Sequence, residues 1–154
     1  MKPASVLATL GPIGRIPGPK ATYASAVVVA IGWFLPVPSL PIALALIAAG
    51  TVVAIWVCSE AEKELGHDAH PIVADEVIGQ SIALVLAPHH WIAFAAAFFL
   101  FRVFDIAKPL GANQAQSLPG GQGIVADDFL AGIYSFATLQ GLLWVAARMG
   151  FQLP

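Results

Sequence analysis

The chain has 154 residues, of which 58% are hydrophobic and only 10% are charged. Average globular domains carry roughly 45–50% apolar and about 25% charged residues, so this composition excludes an ordinary soluble fold and predicts one integral membrane domain over residues 1–154. The formal net charge of −2 gives no electrostatic reason to expect a nucleic-acid partner.

Three long stretches contain no Asp, Glu, Lys or Arg: 21–59, 77–101 and 129–147. Prolines break the first stretch at 36–41, because proline lacks a backbone donor and ends helices, and Pro88-His89-His90 breaks the second. We therefore predict five helices, at about 21–35, 40–60, 71–87, 90–105 and 124–149. Only the second and the fifth comfortably reach the roughly 20 residues that a full membrane span needs.

The positions of the charges predict a topology. If the first four helices form two hairpins that cross the membrane, every charged residue except Arg148 lies on one face. Lys2, Arg15 and Lys20 precede the first helix, so the positive-inside rule assigns that face to the cytoplasm. The predicted fold is an all-α, polytopic membrane bundle of about five helices, two hairpins and a C-terminal helix, with polar cytoplasmic loops.

Two pairs of adjacent acidic residues stand near the beginning of apolar helices, Asp75-Glu76 and Asp127-Asp128. The helix dipole favours carboxylates there by roughly 0.3–1 kcal/mol each, which is a purely structural explanation. Adjacent carboxylates at a membrane boundary also repel each other, however, and ionisable groups that enter a membrane helix are costly and usually functional. Because the pattern occurs twice, we predict that these four carboxylates form an oxygen-rich site for Mg²⁺.

Arg102, Asp105 and Lys108 follow one another at i, i+3, i+6 spacing along a helix end. They form either an intrahelical ladder of ion pairs or a phosphate clamp, in which arginine gives bidentate contacts and lysine a point charge. The apolar run at 98–101 favours the clamp. A glycine-rich turn precedes the second acidic pair and could bring backbone amides close to an anion, although such a turn alone is a weak signal; it contains Gly120, Gly121 and Gly123.

Three segments, HDAHPIVADEVIGQ, FRVFDIAKP and GGQGIVADDFLAGIY, together resemble the phosphatidylglycerophosphatase A family over about residues 6–145. The resemblance implies a magnesium-dependent phosphatase of the bacterial cytoplasmic membrane that converts phosphatidylglycerophosphate to phosphatidylglycerol and inorganic phosphate. The chain departs from the family pattern at Ala24, where glycine is usual, and in the segment ANQAQSLP, which lacks a common Asp-Arg pair.

The family pattern and the residue chemistry together predict the roles of the site residues. The expected Mg²⁺ ligands are Asp75, Glu76, Asp127 and Asp128. Asp68 is a further ligand or a base, and the expected catalytic residues are Asp68, Asp75, Asp127 and Arg102. Arg102, which Asp105 would orient, and Lys108 are expected to bind the phosphate together with Gly120, Gly121 and Gly123. Either a water molecule or a carboxylate is the nucleophile.

Other classes of protein stay open at this stage. A CDP-alcohol phosphatidyltransferase would need a DG-x-x-AR signature, which the chain lacks. A small non-enzymatic transporter or ion-binding protein would carry its ionisable residues in the middle of its helices, whereas here they lie at the ends. Another Mg²⁺-dependent enzyme of lipid phosphates would share the site. The expected partner is a phospholipid in the membrane, and the sequence specifies no oligomeric state.

Overall fold

A computed structural model describes residues 1–66, 69–109 and 111–151, and these residues form helices and no strands. The elements in chain order are α1 (Pro3–Ala8), a 3₁₀ turn (Ile13–Arg15), α2 (Lys20–Phe34), α3 (Leu40–Leu65), α4 (Ala74–Ala83), α5 (Trp91–Ala107), α6 (Ala112–Ala115) and α7 (Gly121–Arg148). The all-α prediction is therefore confirmed for this part of the chain.

The predicted helix at 71–87 is too long. Helix α4 has only ten residues and is followed by a turn in which Leu86 takes a left-handed φ of 55°. The apolar composition of 84–87 resembles that of a helix, but the chain must already reverse before Pro88. The other four predicted helices exist, and three of them extend further than predicted, to Leu65, to Ala107 and back to Gly121.

Helix α4 lies at the centre of the molecule, where it packs against α2, α3, α5 and α7. Eight of its ten residues are buried. It lies very close to α7 at two glycines, since a Cβ on Gly132 would lie 2.6 Å from the carbonyl oxygen of Gly79. Small residues allow such close contact between membrane helices. This contact sets the relative position of the two acidic pairs.

Side-chain contacts distinguish two ends of the bundle. At one end, His89 stacks on Trp33 with ring centroids 4.4 Å apart, so the turn before α5 lies beside the C-terminal end of α2. At the other end, the beginnings of α4 and α7 meet the C-terminal ends of α3 and α5. The acidic pairs and the basic residues of 102–108 lie at this second end, which we call the polar end.

Among the helices of the described residues, two are long and apolar enough to cross a membrane. Their most apolar 18-residue windows have mean hydropathies of 2.4 in Leu40–Leu65 and 1.5 in Gly121–Arg148, and only 11% and 22% of those windows are buried. Core helices of soluble proteins are mostly buried, so the exposed apolar surface indicates a membrane protein. The ten residues of α4 cover about 15 Å, half of the roughly 30 Å hydrocarbon layer.

Candidate active site

Three carboxylates meet where the first turn of α4 lies against α7. One ligand oxygen from each of Asp75, Glu76 and Asp128 lies within 4.8 Å of the others, and all three residues are less than one-tenth exposed. Asp75 Oδ1, Glu76 Oε2 and Asp128 Oδ2 have no hydrogen-bond partner among the described residues. Buried, unpaired carboxylates are costly, so this cluster fits a cation with oxygen ligands, the kind that Mg²⁺ prefers.

The electrostatics of the two α4 carboxylates agree with this interpretation. Burial raises the pKa of Asp75 well above its usual value, and the neighbouring Glu76 raises it further. Burial also raises the pKa of Glu76 to about 8, with a further contribution from Asp128. A bound cation would favour the charged forms and reverse these shifts.

Asp127 lies beside this cluster in an ion pair. Its Oδ2 is 2.5 Å from Nζ of Lys108, which follows the last residue of α5 in a left-handed conformation with φ 44°. The structure thus brings three of the four predicted metal ligands into one group and places the fourth against a predicted phosphate-binding lysine. The metal-binding role of all four carboxylates stays a prediction.

Arg102 and Asp105 form an ion pair on α5, with 2.5 Å between Arg102 Nη1 and Asp105 Oδ2. Both side chains are mostly buried, and Arg102 Nε has no hydrogen-bond partner among the described residues. Asp105 is close enough to Glu76 to influence it electrostatically. The guanidinium is therefore held beside the carboxylate cluster, while Lys108 leaves the predicted ladder and pairs with α7.

The glycines at the beginning of α7 allow it to start in close contact with α3. Gly120 has a positive φ of 65°, and the amide of Gly121 donates a hydrogen bond to Ser59 Oγ at 3.0 Å. A Cβ on Gly121 or on Gly123 would collide with backbone carbonyl oxygens. Close packing accounts for these two glycines, and the predicted phosphate contacts of all three stay a prediction.

The predicted site includes one residue that lies outside the described residues. This is Asp68, in the segment between α3 and α4. Gln80 is a further buried polar residue that was not predicted from the sequence, and its side chain is completely buried one turn after Glu76. Its signal in the sequence is a polar residue at i+4 from an acidic one inside an otherwise apolar helix.

A helical membrane protein with buried carboxylates and two basic side chains at its polar end has the groups that an enzyme of membrane phosphate esters needs. A sequence model of the family described as phosphatidylglycerophosphatase A matches residues 6–143. The chain belongs to this family of lipid phosphomonoesterases, and the family prediction is confirmed.

Three relatives show the extent of the similarity. A Bacteroides thetaiotaomicron protein, provisionally named as a phosphatidylinositol-3-phosphatase, is 38% identical over 129 residues and 81% of each chain. The phosphatidylglycerophosphatases A of Escherichia coli and Haemophilus influenzae are 37% and 41% identical over 93 and 83 residues. The match to the Escherichia coli protein covers 58% of this chain and 54% of the relative. The match to the Haemophilus influenzae protein covers 52% of this chain and 51% of the relative. No solved structure matches the chain.

Proposed function

We propose that the protein is a Mg²⁺-dependent phosphatidylglycerophosphatase, which hydrolyses phosphatidylglycerophosphate to phosphatidylglycerol and inorganic phosphate. One observation carries the proposal: three buried carboxylates with unpartnered oxygens lie within 4.8 Å of one another at the polar end of the bundle. Basic side chains from the end of α5 lie beside them. Family membership supplies the substrate.

In this proposal Asp75, Glu76 and Asp128 hold Mg²⁺. The cation would neutralise charge on the phosphoryl group and lower the pKa of a bound water. Phosphoryl transfer depends mainly on positioning and charge neutralisation, so the protein needs few further groups.

The basic residues bind the phosphate. Arg102 gives a bidentate contact, and Asp105 holds its guanidinium in place through the 2.5 Å ion pair. Asp127 positions Lys108 and, with Asp68, is a candidate base. The nucleophile is either a water molecule or a carboxylate. The stereochemistry at an isotopically chiral phosphate distinguishes them, because direct attack by water inverts the configuration at phosphorus and two successive displacements retain it.

We place the protein in the bacterial cytoplasmic membrane as a multi-pass protein, with the polar end facing the cytoplasm. The basic residues that precede α2 support this orientation. An impermeant maleimide should label Ser39→Cys in spheroplasts and Ser117→Cys only after lysis. The native Cys58 is completely buried and should react little. The opposite labelling pattern would contradict the orientation.

A second substrate has specific support, because the relative matched over 81% of both chains is named for phosphatidylinositol 3-phosphate. Phosphate release from the two lipids by purified wild-type protein decides between them. We expect the higher kcat/KM with phosphatidylglycerophosphate. The reverse preference would favour the second substrate, and no release from either lipid would refute phosphatase activity.

A further inference from the structure

Gln80 differs from the other completely buried polar side chains among the described residues. The others each donate a hydrogen bond to a protein oxygen; they are Ser5, Thr9, Ser25 and Ser135. Both the amide nitrogen and the amide oxygen of Gln80 lack a partner. A buried amide without hydrogen bonds is strongly disfavoured, so its position in α4 calls for an explanation.

The position of Gln80 connects it to the carboxylate cluster. It lies one turn after Glu76 on the same face of α4, and helical side chains lean toward the N-terminus of their helix. All described buried side-chain nitrogen and oxygen atoms without a partner belong to five residues around this point: Asp75, Glu76, Gln80, Arg102 and Asp128. Gln80 is the one neutral member of this group.

The chemistry of an amide restricts what can satisfy it. Ionised carboxylates only accept hydrogen bonds, so Glu76 and Asp128 can pair with Nε2 of Gln80 but not with Oε1. Arg102 is held on α5 by its ion pair with Asp105, and no hydrogen bond joins it to Gln80 among the described residues. The complete burial of Gln80 excludes a lipid group, whereas a water molecule is small enough and both donates and accepts.

We infer that Gln80 binds a buried water molecule that hydrogen-bonds to the carboxylates of Glu76 and Asp128. This water and the amide hold the carboxylates in the orientation that binds the cation. Gln80 is thus a positioning residue and not a ligand, and this role rests on the metal site of the proposed function. Outer residues that orient metal ligands typically change metal affinity 10–100-fold when they are replaced.

The test is Gln80→Met, which keeps the volume of the side chain and removes both polar atoms. We expect the metal-free protein to unfold close to the wild-type temperature, because the amide and the water that it binds leave the core together. The Mg²⁺ concentration that half-maximally raises the unfolding temperature should increase about 10–100-fold. At saturating Mg²⁺, kcat should stay near the wild-type value.

A matched control makes the same substitution far from the cluster. Gln140 lies about 18 Å along α7 from Asp128, and its amide donates a hydrogen bond to the carbonyl of Val85 at 3.3 Å. Gln140→Met should lower the unfolding temperature and leave the affinity for Mg²⁺ unchanged.

Three results would overturn the inference. Gln80 would be an ordinary core residue if Gln80→Met destabilised or unfolded the metal-free protein. The same would follow if the wild type bound Mg²⁺ and Gln80→Met bound it with the same affinity. If the wild type itself showed no stabilisation by Mg²⁺, the proposed metal site would be wrong, and the positioning role would fail with it.

Discussion

Replacing Asp128 by asparagine should stabilise the metal-free protein and inactivate the enzyme. One oxygen of its carboxylate lies within 4.8 Å of a carboxylate oxygen of Asp75 and of one of Glu76. Two like charges at that distance repel each other by about 3 kcal/mol at an effective dielectric constant of 20. The variant removes this repulsion, but it also removes one of the three carboxylates proposed to bind Mg²⁺.

The size of the stabilisation should depend on pH. Because burial and the neighbouring Asp128 raise the pKa of Glu76 to about 8, Glu76 is largely protonated at pH 7, and the two carboxylates are then not both ionised. Glu76 ionises between pH 7 and 9, so the penalty in the wild type grows with pH over that window. The unfolding temperature of Asp128→Asn should therefore be only slightly above that of the wild type at pH 7 and several degrees above it at pH 9. A stabilisation of about 1 kcal/mol raises the unfolding temperature by roughly 2–4 °C.

The assay combines thermal unfolding in chelator at pH 7 and 9 with phosphate release at saturating Mg²⁺. Phosphate release should fall at least about 100-fold, because a lost ligand costs no less than a lost outer residue. Glu60→Gln is the control, since it makes the same change of charge in a solvent-accessible pair with Lys63, and such pairs contribute little to stability. The prediction would be wrong if Asp128→Asn were less stable than the wild type at pH 9, or if it released phosphate at the wild-type rate.

Three further predictions concern Lys108, the pH dependence of Mg²⁺ binding and two glycines. Lys108→Met removes the proposed charge-assisted phosphate contact and the ion-pair partner of Asp127. We expect KM for the lipid to rise about tenfold or more, and an unchanged KM would argue against phosphate binding. The affinity for Mg²⁺ should fall as pH decreases below about 8, because protonated Glu76 cannot bind the cation; a flat profile of half-saturating Mg²⁺ between pH 6.5 and 8.5 would contradict this. Gly79→Ala would place a Cβ 2.6 Å from the carbonyl oxygen of residue 128 and should destabilise the protein by about 1–3 kcal/mol. In contrast, Gly141→Ala meets no atom within 4 Å and should stabilise α7 by up to about 1 kcal/mol, as thermal unfolding would show.

The helices could largely be predicted because the sequence marks their ends. Charge-free stretches define the apolar segments, and prolines end α2 before residue 36 and α5 before Pro109. The length of α4 could not be predicted in this way. Residues 84–87 are as apolar as those of the helix, but they form a turn packed against other elements, and composition does not distinguish the two.

The site was predictable as a set of residues but not as an arrangement. Neighbouring positions on a helix differ by about 100° around its axis, so only one of Asp127 and Asp128 can face α4 directly. The close approach of α4 and α7 at Gly79 and Gly132 makes that residue Asp128. Gln80 was missed because the sequence shows that a residue is polar, whereas its lack of partners depends on the packing of four helices.

The most direct test of the account is Mg²⁺ binding by the purified wild-type protein, measured by calorimetry beside phosphate release from phosphatidylglycerophosphate over the same Mg²⁺ concentrations. Both curves should share one midpoint, Asp75→Asn should abolish both, and Glu60→Gln should change neither. Phosphate release that persists in excess chelator, or Mg²⁺ binding that survives in Asp75→Asn, would contradict the claim that the buried carboxylate cluster holds the catalytic cation.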